Sequence, residues 1–454
     1  VKNPPPSRAM TSVLGALLLV VTPLPIASIA LQLPARRSSG EYYWPEPRGR
    51  PESYGVSPYA APRFLTNATL AWTWFLGGPE GKYSQAAHSG LLIDDQKSIY
   101  LASTDGVRKL SSEGQLLWYA PLVSWRLPTI ADGKLYTTDN SGKAYALSME
   151  TGERLWEAHF TDTIGMDISS VAVFDGVLIA TGKAEKGGGS AAVAGLSADD
   201  GGLLWEFRAD SRLWNTMPMT TGNGTFIFQD QVGGVYHLRT QDGHQLWKAG
   251  YSGPWARDFT DGLAMVKDGV VYAVHSDGDC CFANQPASVR AYDLASGAEL
   301  WMQRFPHPVN SQPVVGHLGK GVGLSDRLVV VVPIGAQPVG FTDSFNTSIG
   351  VFDAKTGEPV WEWVFPTWHD KFVAGDAERQ AHGTLCLPNP YGSPSIDARG
   401  TLYVGHLNGK IYAIRDDSGD GAIQDSEVSR YDTGAGFSHG GAALAPGMLA
   451  IPSC

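Results

Sequence analysis

The stretch Gly350-Val-Phe-Asp-Ala-Lys-Thr-Gly-Glu-Pro-Val-Trp361 is the clearest copy of a unit that recurs along this 454-residue chain. In this unit a short apolar strand leads into an Asp/Thr–Gly turn, and the next strand carries Trp four residues after the Gly. Six copies of the Gly-x-x-x-Trp spacing follow a strand-and-turn pattern: Gly114/Trp118, Gly152/Trp156, Gly201/Trp205, Gly243/Trp247, Gly297/Trp301 and Gly357/Trp361. Six copies, each behind a strand-and-turn pattern, indicate a repeat architecture.

Successive tryptophans of these units are 38, 49, 42, 54 and 60 residues apart. Such intervals are typical of four-stranded propeller blades with loops of variable length. Other β-branched and aromatic runs, such as Val270–Val274 and Leu328–Val332, supply the remaining strands. A repetitive ring also explains how so long a chain can fold without one large core, because each pair of neighbouring blades has its own interface.

Two stretches, Lys143–Trp156 and Gly400–Ile414, resemble the PQQ-type propeller repeat, also called the tryptophan-docking motif. This repeat occurs in quinoprotein dehydrogenases and in the bacterial outer-membrane assembly lipoprotein. The resemblance extends from Thr66 to Cys454. It implies the fold and says little about activity, because one fold supports many functions.

The blade count depends on the two ends of the chain. Val428–Tyr431 is a seventh unit with Tyr in place of Trp, and Phe437–Cys454 can supply inner strands but no outer strand. The missing outer strand has a counterpart near the other end, where Asn67–Phe75 matches Thr356–Val364 in pattern, with Ala68 at the Gly position. A blade shared by both ends would close the ring and protect its sheet edges. We therefore predict an all-β, eight-bladed β-propeller over residues 65–454, with seven blades as the alternative.

Residues 1–37 form an apolar anchor or targeting segment. The uncharged run Ala9–Ala35 is long enough to cross a bilayer as a Pro-kinked transmembrane helix. The alternative is a removable signal peptide, since Lys2 and Arg8 precede the apolar run and Ser28-Ile-Ala30 fits a cleavage site. We favour a retained anchor in the lipid bilayer. Both interpretations place the propeller outside the cytosol, in a periplasm, a secretory lumen or a thylakoid lumen.

Residues 38–64 are rich in Pro, Gly, Ser and Tyr and have no apolar periodicity. This composition predicts an extended linker or surface strap. Its tyrosines and Trp44 form an aromatic cluster, and such clusters usually mark a contact. We expect them to pack on the propeller wall or on a partner.

The formal net charge of the chain is -11, and no basic cluster interrupts the acidic balance. Nucleic-acid binding depends on a basic surface that neutralises phosphates. The charge therefore argues against nucleic acid as a partner.

An acidic loop, Asp416-Asp-Ser-Gly-Asp-Gly-Ala-Ile-Gln-Asp-Ser-Glu427, matches the twelve-residue calcium-loop template. The template assigns side-chain oxygens to Asp416, Ser418 and Asp420, a backbone carbonyl to Ala422 and a bidentate carboxylate to Glu427. Ser418 departs from the usual Asp or Asn, and the flanking segments have strand character. We predict a structural calcium site in the seventh blade; the alternative is a solvated acidic turn.

The chain has four cysteines, the adjacent pair Cys280 and Cys281, then Cys386 and Cys454. An extracytoplasmic location permits disulfides, and a bridge between Cys386 and Cys454 is one arrangement. In methanol-dehydrogenase-like quinoproteins a vicinal disulfide lies against PQQ. The resemblance therefore implies Cys280 and Cys281 as cofactor-binding residues if a quinone is bound; otherwise they are two thiols or a strained turn in an insertion.

No set of residues in the sequence corresponds to a complete catalytic site. His369-Asp370 is the only adjacent His–Asp pair, and such neighbours are more often loop hydrogen-bonding groups than a base and its orienting partner. Two hypotheses follow. We favour a noncatalytic, membrane-anchored propeller that serves as a scaffold subunit of a larger membrane protein complex. The alternative is a PQQ- and calcium-dependent quinoprotein dehydrogenase.

Overall fold

The structure is a computed structural model, and it describes residues 42–67, 70–74, 90–103, 105–122, 126–165, 167–184, 188–250, 260, 263–277, 286–309, 311–319, 327–335, 346–369, 374–375, 392–437 and 441–452. In these ranges the only helices are two short 3-10 turns, Leu65–Asn67 and Asp425–Glu427. None of the helices described is long and apolar enough to cross a bilayer. The predicted anchor, residues 1–37, lies outside these ranges.

In the part of the chain that the structure describes, seven four-stranded antiparallel sheets follow one another, and each is one blade. Blade 1 is β3 (Leu92–Ile93), β4 (Ile99–Ser103), β5 (Gly106–Leu110) and β6 (Leu116–Ala120). Blade 2 is β7 (Thr129–Ala131), β8 (Lys134–Thr138), β9 (Lys143–Ser148) and β10 (Arg154–His159). Blade 3 is β11 (Ala172–Phe174), β12 (Val177–Ala184), β13 (Ser190–Ser197) and β14 (Leu203–Leu213). Blade 4 is β15 (Met219–Thr220), β16 (Thr225–Gln229), β17 (Val235–Arg239) and β18 (Gln245–Ala249).

The remaining strands complete the ring. Blade 5 is β19 (Ala264–Lys267), β20 (Val270–Ser276), β21 (Ala287–Asp293) and β22 (Glu299–Phe305). Blade 6 is β23 (Val314–His317), β24 (Leu328–Gly335), β25 (Thr347–Asp353) and β26 (Pro359–Val364). Blade 7 is β27 (Ser395–Ile396), β28 (Leu402–Gly405), β29 (Lys410–Ile414) and β30 (Val428–Asp432). Two hairpins lie outside the blades, β1 (Gly49–Arg50) with β2 (Ser53–Tyr54), and β31 (Ala443–Ala445) with β32 (Met448–Ala450).

The prediction of eight blades is wrong, and the alternative of seven is confirmed. Blade 7 contains Tyr431 in its outer strand, as the pattern indicates. After blade 7 the described residues form the two-stranded hairpin β31–β32, and β31 lies beside the inner strand β3 of blade 1. Residues 70–74, the described part of the predicted outer strand, belong to no β-ladder.

The Gly-x-x-x-Trp motif joins each of blades 1 to 5 to the blade that follows it. In each motif the Gly has positive φ, between 65° and 82°, in the turn before the outer strand, and Trp lies in that strand. The indole of one blade covers the turn Gly of the following blade and donates its Nε1 hydrogen to a nearby backbone carbonyl. Trp205, for example, lies over Gly243 of blade 4 and donates to Thr240 at 2.8 Å. The bonds that share this pattern are Trp118 to Met149, Trp156 to Ala198, Trp205 to Thr240, Trp247 to Leu294 and Trp301 to Ala354.

Glycine is required at these turns for two reasons. A side chain disfavours the left-handed backbone conformation. A Cβ atom at Gly243 would also lie 2.5 Å from Cε3 of Trp205, closer than van der Waals contact allows. The two residues of the motif therefore act together across a blade junction, because the Gly of one unit has no side chain and the Trp of the preceding unit can pack over it.

A second repeated element, which the sequence patterns above do not include, closes tight turns between strands. An Asp carboxylate accepts backbone N–H groups two and four residues later and the hydroxyl of a Tyr six residues later, which is an Asx-turn locked by a side chain. In blade 4, Asp230 accepts from Val232, Gly234 and Tyr236. The Asp/Tyr pairs are Asp94/Tyr100, Asp139/Tyr145, Asp230/Tyr236 and Asp397/Tyr403.

Candidate functional site

The innermost strands of a propeller surround a central channel, and ligand sites of such folds lie where those strands converge. In this chain residues 42–57 cross that position. We call them the axial segment. On one side, Trp44 pairs with Ile93 of β3, and the Pro45 carbonyl accepts the backbone N–H of Ile130 in β7 at 2.9 Å. The segment thus begins in contact with blades 1 and 2.

The axial segment then reaches the opposite blades. The Tyr54 hydroxyl donates to the Pro218 carbonyl, directly before β15, at 2.7 Å, and Arg48 donates to the Pro313 carbonyl, directly before β23, at 3.3 Å. Val56 forms a parallel bridge with Ile396 of β27. Because one short segment touches inner strands, or the residues beside them, of blades 1, 2, 4, 6 and 7, it lies across the centre of the ring.

The side chains of the axial segment fill this centre. Trp44, Arg48 and Tyr54 are each at most 2 % exposed, and Tyr54 packs in a core cluster with Met217, Met219 and other residues of blades 4 to 6. The tight turn is held by mutual backbone hydrogen bonds between Glu46 and Gly49, both 2.9 Å. The expectation of a surface strap is corrected here, because these aromatics pack inside the ring and not on its wall.

Two charged groups of the axial segment are buried without pairing to each other. Burial raises the pKa of Glu46 well above its ordinary value, although a hydrogen bond from the Tyr54 hydroxyl opposes the rise. Burial lowers the pKa of Arg48 to about 9. Burial likewise raises the pKa of Tyr54, and the nearby Glu46 carboxyl adds to the rise. Burial therefore shifts Glu46 toward its neutral form, as expected for an acid held inside a protein.

These residues do not fit a planar quinone cofactor at the axis. A bound cofactor needs an open site with a few convergent polar groups. Here the centre is occupied by the indole of Trp44, the guanidinium of Arg48 and the phenol of Tyr54, all buried. The chain's own segment takes the place that an axial ligand would need.

Another buried charge cluster lies between blades 2 and 3. Arg126 pairs with Asp167, both at most 1 % exposed, and also donates to Thr181 at 3.0 Å and to the Gly165 carbonyl at 3.0 Å. Asp167 accepts the Ser190 hydroxyl at 3.1 Å. Each member is held by neighbours from the same two blades, so the cluster is best explained as an internal clamp.

Two buried histidines are held neutral. Burial lowers the pKa of His275 to about 3, and burial lowers that of His406 to about 3. His275 bonds the Ser288 hydroxyl at 3.0 Å, and His406 bonds the Thr347 hydroxyl at 2.8 Å and stacks on Phe365. Neither is poised to exchange protons near pH 7, which is the property that a general base needs.

The predicted calcium loop lies between β29 and β30 of blade 7, where the sequence places it. Its carboxylates accept backbone N–H groups of the loop itself. Asp416 accepts from Gly419 at 2.6 Å and from Gly421 at 2.9 Å, and Glu427 accepts from Ser418 at 2.7 Å and from Gln424 at 3.0 Å. Asp420 accepts from Ala422 at 2.9 Å. These bonds fold the loop back on itself.

The calcium prediction stays a prediction. In the ranges given above, no group of three or more His, Cys, Asp or Glu side chains is arranged to hold a metal ion. An N–H bond from Ala422 lowers the pKa of Asp420. Burial alone would raise the pKa of Asp417, but hydrogen bonds from Arg415 and Arg63 keep it below its ordinary value. The loop therefore carries ionised carboxylates, the ligand type that calcium prefers.

The remaining predicted site residues fall outside the described residues. This applies to Cys280 and Cys281, to Cys386 and Cys454, and to Asp370. His369 is described, at the end of the segment after β26. The axial segment is the feature that the sequence patterns missed, and its signal was the clustering of aromatics with two Glu and two Arg in a region without periodicity.

Comparison with known proteins gives one matching family profile, described as the outer membrane protein assembly factor BamB, over residues 103–287. The chain is 27 % identical over 243 residues to BamB of Burkholderia pseudomallei, covering 52 % of this chain and 55 % of that protein. It is 23 % identical over 282 residues to a tetrathionate hydrolase of Acidithiobacillus ferrooxidans, covering 60 % of this chain and 43 % of that protein. The chain thus spans about half the length of the curated relatives it matches.

Solved structures resemble the whole ring. The europium-containing methanol dehydrogenase superposes with a TM-score of 0.60 at 14 % identity, covering 89 % of this chain and 88 % of that one. The quinohemoprotein alcohol dehydrogenase of Comamonas testosteroni gives a TM-score of 0.59 at 12 % identity, covering 91 % of this chain and 77 % of that one. At such identities the likeness establishes the propeller fold and no more.

Proposed function

We propose that this chain, a PQQ-type repeat β-propeller, is a noncatalytic, membrane-anchored scaffold subunit of a larger membrane protein complex. The observation that carries the proposal is the axial segment. Trp44, Arg48 and Tyr54 occupy the centre of the ring, where a propeller enzyme would hold its cofactor or substrate. The rim and the two faces are left as the surfaces available for function.

The relatives support the same class of function. Two of the matched curated proteins carry the name outer membrane protein assembly factor, one from Burkholderia pseudomallei and one from Shewanella oneidensis. The apolar run within residues 1–37 would attach the propeller to a bilayer. Its charge balance of -11 favours protein partners over nucleic acid. We place the propeller on an extracytoplasmic or lumenal side of the membrane.

The rim offers a repeated contact surface. Each of five outer strands exposes a Leu directly before its tryptophan, with about half of the side chain open to solvent: Leu117, Leu155, Leu204, Leu246 and Leu300. A single exposed leucine is ordinary on a protein surface, but leucines repeated around a ring give a partner protein several equivalent apolar contact sites.

The second candidate is a PQQ- and calcium-dependent dehydrogenase. The fold-level likeness to quinoprotein dehydrogenases over about nine-tenths of the chain favours it. The predicted calcium loop and the pair Cys280-Cys281 would belong to that function. Against it stands the filled axis, which leaves a quinone without its site.

The test is to purify the full chain from its native membrane in mild detergent and to measure the particle mass and its composition. A scaffold is expected in a particle several times heavier than the 48.6 kDa chain, with membrane proteins in fixed ratio. A single chain that retains one quinone and oxidises an alcohol with an added electron acceptor would contradict the proposal. A matched preparation with Leu204→Glu and Leu246→Glu should fold equally but lose partners if the rim is the contact surface.

A further inference from the structure

The guanidinium of Arg48 lies buried at the centre of the ring, where the residue is 1 % exposed. Of its three nitrogens, Nη2 donates to the Pro313 carbonyl at 3.3 Å. The other two, Nε and Nη1, are buried and have no hydrogen-bond partner among the residues that the structure describes. Three of the five N–H groups of a guanidinium are on these two nitrogens. Most of the donors of Arg48 are therefore unsatisfied by the protein.

The positive charge of Arg48 is also uncompensated. The carboxyl of Glu46, two residues earlier, accepts the Tyr54 hydroxyl instead, and burial favours its neutral form. Glu52, the other acidic residue of the axial segment, is exposed. Burial lowers the pKa of Arg48 to about 9, so the group keeps its charge at neutral pH. The centre of the ring thus holds one positive charge without a carboxylate against it in the described part of the chain.

The other buried arginines of the described residues have a partner of opposite charge. Arg63 pairs with Asp417 at 2.7 Å, and Arg126 pairs with Asp167. A charge that is removed from water and left unpaired is strongly destabilising. Arg48 is the exception in this set, and we therefore expect a counter-charge that the polypeptide itself does not provide.

Polar groups and glycines surround the guanidinium. A Cβ atom at Gly55 would lie 3.2 Å from Nη2, and one at Gly441 would lie 3.2 Å from Nη1. The Gly441 position also lies against the Ser393 carbonyl, and the Ser393 hydroxyl donates to the Gln312 side-chain oxygen at 2.9 Å. The Gln312 side-chain nitrogen is bonded to the sulfur of Met217 at 3.5 Å, and a thioether is a weak acceptor. These surroundings suit a small ion better than an apolar ligand.

Burial limits what can neutralise the guanidinium. Gln312 and Ser393 are at most 1 % exposed, as Arg48 is, so the group is closed off from side chains at the surface. A water molecule accepts hydrogen bonds but carries no charge, so it leaves the charge of Arg48 uncompensated. A single positive charge is neutralised by a single negative one. An anion also receives charge-assisted hydrogen bonds from a guanidinium, which are stronger than neutral ones.

We propose that the centre of the ring binds one small monovalent anion of the size of chloride, held by Nε and Nη1 of Arg48. The anion does for Arg48 what Asp417 does for Arg63, and it fixes the axial segment against the inner ends of blades 6 and 7. Its role is structural. The proposal goes beyond the proposed function and does not depend on it, because a scaffold and an enzyme can each contain such an ion.

The test is thermal unfolding of the full chain in detergent, as chloride replaces gluconate at constant ionic strength. An ion that binds only the folded chain stabilises it, so we expect a saturable rise in melting temperature, about 3 °C at a hundred times the dissociation constant. Arg48→Met removes the charge and keeps a long side chain, and the rise should disappear. In gluconate this variant should melt at or above the natural chain, because no buried charge is left unpaired.

Arg63→Met is the matched control, because it removes a buried arginine that has its own carboxylate, Asp417. It should melt below the natural chain and keep the full chloride-dependent rise. A second measurement needs no variant. Crystals of the natural chain grown in bromide should show one anomalous peak in contact with Nε or Nη1 of Arg48.

Three results would overturn the proposal. One is a melting temperature of the natural chain that does not respond to chloride, with no bromide peak at Arg48. Another is an identical rise in the natural chain and in Arg48→Met, which would place the ion elsewhere. The third is electron density in which a group of the chain itself bonds both nitrogens. Because these measurements need neither the native complex nor a quinone assay, the proposal can fail while the proposed function stands, and the reverse.

Discussion

The blade junctions and the axial segment are both buried, yet they are built in opposite ways. Each of the five junctions from blade 1 to blade 6 repeats one contact, in which a Trp of one blade covers the Gly of the next, as Trp205 covers Gly243. The contacts of the axial segment differ from one another in residue type and geometry, and together they join five different blades. The ring is therefore held together by a repeated Trp–Gly contact, whereas its centre is closed by a segment with no internal repeat.

The largest expected effect is at a junction. Trp205→Ala removes a side chain that is 9 % exposed, stacks on Phe226 and bonds the Thr240 carbonyl. We expect a loss of about 3–5 kcal/mol in the free energy of unfolding, measured by denaturant titration. Trp72→Ala removes a half-buried ring that bonds the Ser112 carbonyl and covers Gly114 from outside any described strand, and it should cost about 1–2 kcal/mol. Equal losses at the two positions would show that the Trp–Gly contact does not depend on its strand.

The burial of Glu46 in the axial segment can be tested through the pH dependence of the stability of the folded chain. The pKa of Glu46 is raised in the folded chain above its ordinary value of 4.5. The contribution of Glu46 to the free energy of unfolding is therefore fully present below pH 4.5, and it is lost as the pH rises toward the folded-state pKa. Each unit of that rise is worth about 1.4 kcal/mol. Glu46→Gln should therefore be more stable than the natural chain at pH 8 and show a flatter dependence between pH 5 and pH 8 in thermal melts.

The control for this experiment is Glu150→Gln, which changes an exposed glutamate in a turn of blade 2. It should leave the pH dependence unaltered. If Glu46→Gln also leaves it unaltered, Glu46 is not buried and the segment does not cross the axis as described.

Replacing a glycine at a blade junction should lower the free energy of unfolding by less than replacing the tryptophan that covers it. Gly243→Ala should lower the free energy of unfolding by about 2–3 kcal/mol, because it combines a left-handed backbone with a clash against Trp205. Gly269→Ala is the matched variant, since φ is 78° and nothing lies within 4 Å of its Cβ position. It should cost about 1 kcal/mol. A loss at Gly243 no greater than at Gly269 would show that the Trp–Gly contact does not require glycine.

The smallest effect concerns the junction between blades 6 and 7, where the acidic loop replaces the glycine turn and Trp361 packs with Ile423 and Val428. If the loop binds calcium, a free concentration ten times the dissociation constant should stabilise the chain by roughly 1.4 kcal/mol. The rise in melting temperature should disappear in Glu427→Gln. An identical rise in both chains would mean that calcium acts elsewhere.

Repetition also explains what the sequence could predict. The PQQ-type repeats and the β-propeller are confirmed, and the unit with Tyr431 in place of Trp was recognisable because its neighbours follow the same spacing. The eight-blade count failed because it treated Asn67–Phe75 as a strand on pattern alone, whereas a strand also needs a neighbour to pair with. In each Asp/Tyr turn the Tyr follows the Asp by six residues, so this repeat could also have been found in the sequence.

The axial segment was not predictable by these means. Periodicity detects strands and helices, and residues 42–57 have neither period. Their burial depends on long-range contacts, such as Arg48 with Pro313 and Tyr54 with Pro218. No local sequence pattern encodes such contacts. The aromatic composition correctly indicated packing but could not tell the wall of the ring from its centre.

The most direct test of the central claim is hydrogen exchange at the axial segment in the full chain, with and without PQQ and calcium. We predict that the amides of Trp44, Gly49 and Val56, which donate to the carbonyls of Ile93, Glu46 and Ser53, exchange as slowly as those of the inner strands, and that the quinone changes nothing. Fast exchange in this segment, or its release when one quinone binds per chain, would contradict the account and make the axis a cofactor site.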